Sequence, residues 1–311
     1  MLQNIRTRNF ATLFSDGVEA EAPMSQAERK RRRAELLRES AGRTFVRFCA
    51  DINHALKPRA LAGLPGTLDF LVREKSIGAA SLPDARHSRQ VPDGLAGLAP
   101  DLSPEAILDA YSRGLFLRWM LGQATLWAPH SRMLMEPDAA REPDELAVRL
   151  AAGEYRITLD RDFDAVIHAA TSDAINQRTP YAPSARGMNV FAALHDAGFA
   201  HSVEVRTKDG ALVGGLYGIA CGGMFVIQSR FGLDGFASDI AVLALIRHLK
   251  VWDFKLIDGC ADKGLDNLGF EEVTRQAQLA RIPGALVGGR PGRWLASPQL
   301  LGQPVRDITA I

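Results

Sequence analysis

Asp258 closes the short apolar run Lys255-Leu256-Ile257, and a carboxylate at the end of a strand has two uses. It either caps the turn that follows or stands ready as a general acid–base group. Two residues on, Cys260 is a nucleophile only if a base or an electropositive neighbour favours its thiolate, and is otherwise a small buried apolar residue. No histidine stands beside it in the sequence, so burial is the plainer reading. Asp262, Glu271 and Glu272 are nearby acids that read as surface residues, and His201, alone on its strand, reads as a structural histidine. Cys49, Cys221 and Cys260 are too few and too scattered for a disulfide framework or a zinc cluster, so reduced thiols and no metal are expected.

These residues need a scaffold, and the chain from 201 onwards spells one. Strands are predicted at 201–206 and 211–220, joined by the hairpin signal Asp209-Gly210, with a third at 224–229. A helix capped by Ser238 and ending near Trp252, a strand at 255–258 and a short element at 271–280 follow. Gly214-Gly215 within the second strand marks a bulge or the close approach of a ligand. Upstream, Ser103, Pro104 and Glu105 announce a helix that stops at Gly114. A strand at 155–159, a helix at 161–171, a Pro-containing loop at 177–187 and a helix at 188–197 ended by Gly198 complete the pattern. Strands and helices that alternate around an antiparallel hairpin give an α+β fold.

The chain has 311 residues, 47% of them hydrophobic, enough for two domains or for one with a large extension. With 37 basic against 36 acidic residues, bulk charge neither demands nor excludes a nucleic-acid partner, so any such contact must come from local patches. No window offers the ~18 apolar residues of a membrane helix, and the polar start lacks the apolar block of a signal peptide. A cytoplasmic protein with no membrane contact is expected. Residues 1–95 read as a helical extension, with helices at 26–40 and 44–56 and irregular linker at 77–100. In the second helix Phe45, Phe48, Ile52 and Leu56 share a face. The run Lys30-Arg31-Arg32-Arg33, flanked by Glu28 and Glu35, reads as a solvated helix face.

The words AHSVEV, LVGGLYGIA, MFVIQS and KLIDGC, with Tyr111, Arg113, Gly114, Phe116, Trp127, Pro129 and Arg132 upstream, resemble the leucyl/phenylalanyl-tRNA-protein transferase family over about residues 100–283. The resemblance implies an acetyltransferase-like (GNAT) mixed sheet flanked by helices, preceded by a small N-terminal domain at 96–170. The catalytic domain would span 171–285 and a tail 286–311. It also implies transfer of leucine, phenylalanine or methionine from aminoacyl-tRNA to the α-amine of a protein or peptide. Its partners would be charged tRNA and an acceptor N-terminus, and no cofactor would be needed.

In this resemblance Asp258 holds the acceptor amine. Leu216, Phe225 and Leu245 line the aminoacyl pocket together with Trp119 or Trp127, Tyr181 stacks on the terminal adenine, and Arg113 and Arg132 meet tRNA phosphates. The sequence departs from the family where the acceptor is gripped. Asp-Cys-Gln becomes Asp258-Gly259-Cys260, and Gly-Glu-Ser becomes Ile227-Gln228-Ser229, which exchanges a carboxylate for a neutral amide. Gln228 and Cys260 are therefore the catalytic positions whose roles are open. Two other readings remain: a coenzyme A dependent acyltransferase, with residues 230–237 as its phosphate turn, and a fold that binds tRNA or peptide without catalysis.

Overall fold

The computed structural model describes residues 26–38, 40–55, 66–67, 69–70, 72, 81–120, 122–176 and 182–301. Its centre is a seven-stranded mixed sheet. Strands β4 (Ser131–Met135), β5 (Arg156–Leu159), β6 (Ala200–Arg206), β7 (Leu212–Cys221), β8 (Met224–Gly232), β9 (Leu256–Asp258) and β10 (Glu271–Thr274) run in the order β10-β4-β9-β8-β7-β6-β5. The β6–β7 hairpin closes on Asp209-Gly210, where Gly210 takes the positive φ its turn requires. Strands β8 and β9 pair in parallel, and helix α7 (Ala237–Val251) makes the crossover between them. Period-two alternation sorts the sheet's side chains. Leu216, Phe225 and Ile227 enter the core beneath α7, whereas Tyr217, Met224 and Val226 enter the core on the opposite face.

That opposite face is covered by helices α3 (Pro104–Ser112), α5 (Phe163–Asn176), α6 (Ala185–Asp196) and α8 (Arg275–Ala285) and by a three-stranded sheet. The small sheet has the order β1 (Leu95–Leu98), β3 (Gln123–Trp127), β2 (Phe116–Met120). The linker expected at 77–100 is thus ordered over 81–100, where β1 pairs antiparallel with β3 from Leu95 opposite Trp127. Leu95-Ala96-Gly97-Leu98 lacks the β-branched residues that advertise a strand, and its pairing comes from burial of Leu95. Residue 170 does not divide the sheet either, because β4 and β5 precede it yet are strands of the large sheet.

Other local expectations are corrected by packing. A Cβ on Gly214 would stand 2.5 Å from Ala237 Cβ, so this glycine admits helix α7 rather than a ligand. Ser238 does not cap α7: Asp234 Oδ1 accepts the N–H groups of Phe236 (2.8 Å) and Ala237 (2.6 Å). The basic run is no solvated face throughout, since α1 (Gln26–Leu36) docks on the start of α5. Arg32 pairs with Asp162 at 3.0 Å, and Arg33 with Asp164 at 3.0 Å and Asp196 at 2.5 Å. In α2 (Ala41–Ala55) the opposite happens: Phe45 is 67% exposed, and Phe48 and Ile52 also face solvent, while Leu56 lies outside the described residues. The tail at 286–301 closes the core. Trp294 is buried and stacks on His201 at 3.6 Å between ring centres, and its N–H donates to Asp160 at 2.7 Å.

Candidate active site

Asp258 and Arg132 meet between the two sheets because of register. Leu134 on β4 stands opposite Asp258 on β9, and Arg132, two residues from Leu134, lies on the same face. Arg132 grips the carboxylate with two bonds, Nε to Oδ1 at 3.1 Å and Nη2 to Oδ2 at 2.6 Å, and both side chains are 1% exposed. The carboxylate carries two further donors. Cys260 N–H reaches Oδ1 at 2.8 Å, and Gln278 Nε2, from α8, reaches Oδ2 at 2.8 Å. The cap reading of Asp258 is therefore realised, with Cys260 at φ +56° turning its amide back to the strand end. Two polar atoms of this cluster, Arg132 Nη1 and Gln278 Oε1, are buried without a hydrogen-bond partner among the described residues.

Gln228 owes its position to a bulge. On β7 and β8 the register steps from Gly218 opposite Ile227 to Tyr217 opposite Ser229, which leaves Gln228 as the extra residue. Its Oε1 accepts the Tyr111 hydroxyl at 2.6 Å and its Nε2 donates to Leu117 O at 2.8 Å, while Leu117 N–H donates to the same hydroxyl at 3.2 Å. A closed triangle thus ties β8 to the end of α3 and the start of β2. Burial pushes the Tyr111 hydroxyl well above the ordinary tyrosine range, so it stays a neutral donor. Tyr111 was quoted for its sequence word alone; its partnership with Gln228 needed the fold.

Cys260 is not placed as a nucleophile. It is 7% exposed, its thiol donates to Ile227 O at 3.4 Å, and burial pushes the thiol up to about 11 in spite of the Arg132 charge nearby. Arg132 likewise cannot touch RNA as it stands, since its guanidinium is spent on Asp258 and covers the Phe116 ring at 4.6 Å. Arg113 does reach solvent, paired with Asp109 at 2.8 Å. Arg118, on β2, lies over Phe116 at 4.9 Å and Trp127 at 5.6 Å, so two guanidinium groups, those of Arg118 and Arg132, lie within 5 Å of the Phe116 ring centre.

The apolar candidates separate across the large sheet. Trp119 and Trp127 belong to the core that the Asp258 cluster faces; Trp119 packs on Gly187 of α6 and meets Phe191 edge-on at 5.6 Å. Leu216 and Phe225, together with Leu245 on α7, are sealed between α7 and the other face of the sheet, so they do not share a cavity wall with the tryptophans. Tyr181 lies outside the described residues. His201 is held by Asp160 at 2.7 Å under Trp294, far from Asp258 in the sheet order, as a structural histidine would be. The phosphate turn imagined at 230–237 has its helix amides filled by Asp234, which removes the donors that a pyrophosphate would use.

Reasoning from sequence missed Gln278. The signal available was a single polar residue on the face that α8 otherwise buries through Ile282 and Ala285. It also missed Glu204, a fully buried carboxylate on β6 that burial pushes up to about 7. Glu204 accepts the hydroxyls of Ser202 (2.6 Å) and Thr158 and the N–H groups of Arg161 and Asp162.

Known proteins bear on this cluster. The family profile described as leucyl/phenylalanyl-tRNA protein transferase matches residues 134–282. A leucyl/phenylalanyl-tRNA–protein transferase of Alkalilimnicola ehrlichii is 36% identical over 215 residues, covering 68% of this chain and 83% of its own. One from Pseudomonas putida is 34% identical over 231 residues, 74% of this chain and 100% of its own. Among solved structures, FemX superposes with a TM-score of 0.37 at 10% identity, over 47% of this chain and 60% of that one, too loose a likeness to carry an argument.

Proposed function

The chain belongs to the leucyl/phenylalanyl-tRNA protein transferase family, and from that premise we propose that it transfers a hydrophobic amino acid from aminoacyl-tRNA to the N-terminal amine of a protein or peptide. The observation that carries the reading is the similarity to the Pseudomonas putida enzyme along that protein's whole length. The α7 crossover between parallel strands β8 and β9 supports an acetyltransferase-like architecture for the catalytic part. No helix among the described residues is long and apolar enough to cross a membrane, which suits a cytoplasmic site of action.

The donor ester is already activated. Attack by the acceptor amine forms a C–N bond, breaks the ester C–O bond to the ribose and sends one amine proton to the leaving hydroxyl. With an ordinary α-amine pKa of ~7.7–8.0, much of the amine is already neutral near pH 8, so alignment supplies most of the acceleration, up to roughly 7–11 kcal/mol in well-oriented reactions. In this reading Asp258, gripped by Arg132, is a fixed electrostatic partner for the amine. It favours the positive charge that grows on nitrogen as the bond forms. Gln228 and Tyr111 shape the adjoining wall, and Trp119 and Trp127, buried in the core on the same side of the sheet, remain the candidates for contact with the aminoacyl side chain. Arg113 is the exposed candidate for a tRNA phosphate.

The test uses purified protein, radiolabelled leucyl-, phenylalanyl- and methionyl-tRNA, and peptides that differ only in their first residue. Label should appear in peptides whose first residue is basic. Binding of charged tRNA with no label in any peptide would overturn transfer and leave a binding protein.

A further inference from the structure

We propose that Gln278 is a positioning residue for the transfer reaction: its amide fixes the direction in which Asp258 presents its second oxygen to the acceptor amine. The inference rests on the reading of Asp258 above. Three of the four donors to that carboxylate are rigid, namely the two bonds from Arg132 and the backbone amide of Cys260. The fourth, Gln278 Nε2, comes from a different element and binds Oδ2, the oxygen that the main chain leaves alone. It is also the neutral side chain of the set, so an approaching amine can share or take its place without unpairing a charge. Gln278 is buried, and its own Oε1 has no partner among the described residues. The turn after α3 runs close to this part of α8, since a Cβ on Gly114 would stand 2.5 Å from Leu279 Cδ2 and 3.4 Å from Gln278 Oε1.

The amide meets Asp258, and the other titratable groups around the Asp258–Arg132 pair are Cys260, from the turn after β9, and Tyr111, from α3. Within α8, Arg275 turns to Ser88 and Ala128, and Arg281 to Glu271. Cys260 and Tyr111 are held neutral by burial. A glutamate introduced at 278 would therefore titrate against Asp258 under the fixed charge of Arg132. Two carboxylates at that spacing share a proton, so the added group acts as a donor when protonated and repels Asp258 when not.

The test compares Gln278→Ala, Gln278→Glu and Asp258→Asn in the full chain, with leucyl-tRNA and the best acceptor peptide. Gln278→Ala should lower kcat by about tenfold to a hundredfold, the loss of one hydrogen bond to a charged group, and leave the KM for leucyl-tRNA unchanged. Gln278→Glu should approach the wild-type rate at low pH and fall away from it as pH rises. That pH-dependent ratio is a signature that a packing role would not produce, and it carries the test if the alanine variant fails to fold. A wild-type kcat and pH profile in the Gln278 variants, beside an impaired Asp258→Asn, would overturn the role of Gln278 alone. A fully active Asp258→Asn would remove the reading beneath it.

Discussion

A carboxylate that accepts four hydrogen bonds behaves unlike a free one, and the same holds for a thiol without water. Cys260 should be silent in chemistry: Cys260→Ala is expected to keep the transfer rate within about twofold, because a thiol raised by burial supplies no thiolate at working pH. Alkylation with iodoacetamide at pH 8, read by mass spectrometry, should label exposed Cys49 well before Cys260 or Cys221. Glu204 gives a second residue-scale expectation. Its folded pKa of about 7 lies above the unfolded value of 4.5, so between those values the unfolded chain ionises while the folded one keeps its proton. Stability therefore falls as pH rises from 4.5 to 7 and then levels. Urea midpoints against pH should show Glu204→Gln losing less than wild type over that window, by up to about 3 kcal/mol. A constant gap between the two curves would mean that Glu204 stays ionised.

At the scale of elements, close contacts decide which helix lies where. A Cβ on Gly187 would stand 2.6 Å from the Trp119 ring, so α6 approaches β2 only because that position is bare. Gly187→Ala should cost about 1–3 kcal/mol through overpacking, seen as a lower Tm. The elements were largely legible in the sequence. Alternation and Asp209-Gly210 reveal the β6–β7 hairpin, and Ser103, Pro104 and Gly114 bracket α3. Strand β1 was hidden because Leu95-Ala96-Gly97-Leu98 has no β-branched residue, and the cap of α7 was misassigned because Asp234 and Ser238 both offer an oxygen near the helix start. The site was legible only in part. Asp258 stands out as a polar end to an apolar strand, but its partners lie 126 residues before it and 20 after it, and local pattern carries no information about such pairings. Leu216 and Phe225 alternate correctly, yet the sequence alone does not say which side of the sheet the site occupies.

For the whole molecule, the C-terminal segment matters as much as the matched region. Trp294 seals the core beneath α7 through Phe225, Trp252 and Phe254, and its neighbours His201 and Asp160 bind it from β6 and the turn before α5. Trp294→Ala should destabilise the protein by about 3–5 kcal/mol, measurable by denaturant titration, although it lies on the far side of the sheet from Asp258. The order of the large sheet has a further consequence, for the chain during its synthesis. β4 lies between β9 and β10, so a strand made early finds its first neighbour only after residue 258 and its second only after residue 274 has emerged from the ribosome. Until then its edges are open to other chains, and closing loops of that span delays non-local pairing. The Arg132–Asp258 contact joins two of those strands, so a nascent chain cut short of residue 256 retains a lone arginine with its intended counter-charge never made.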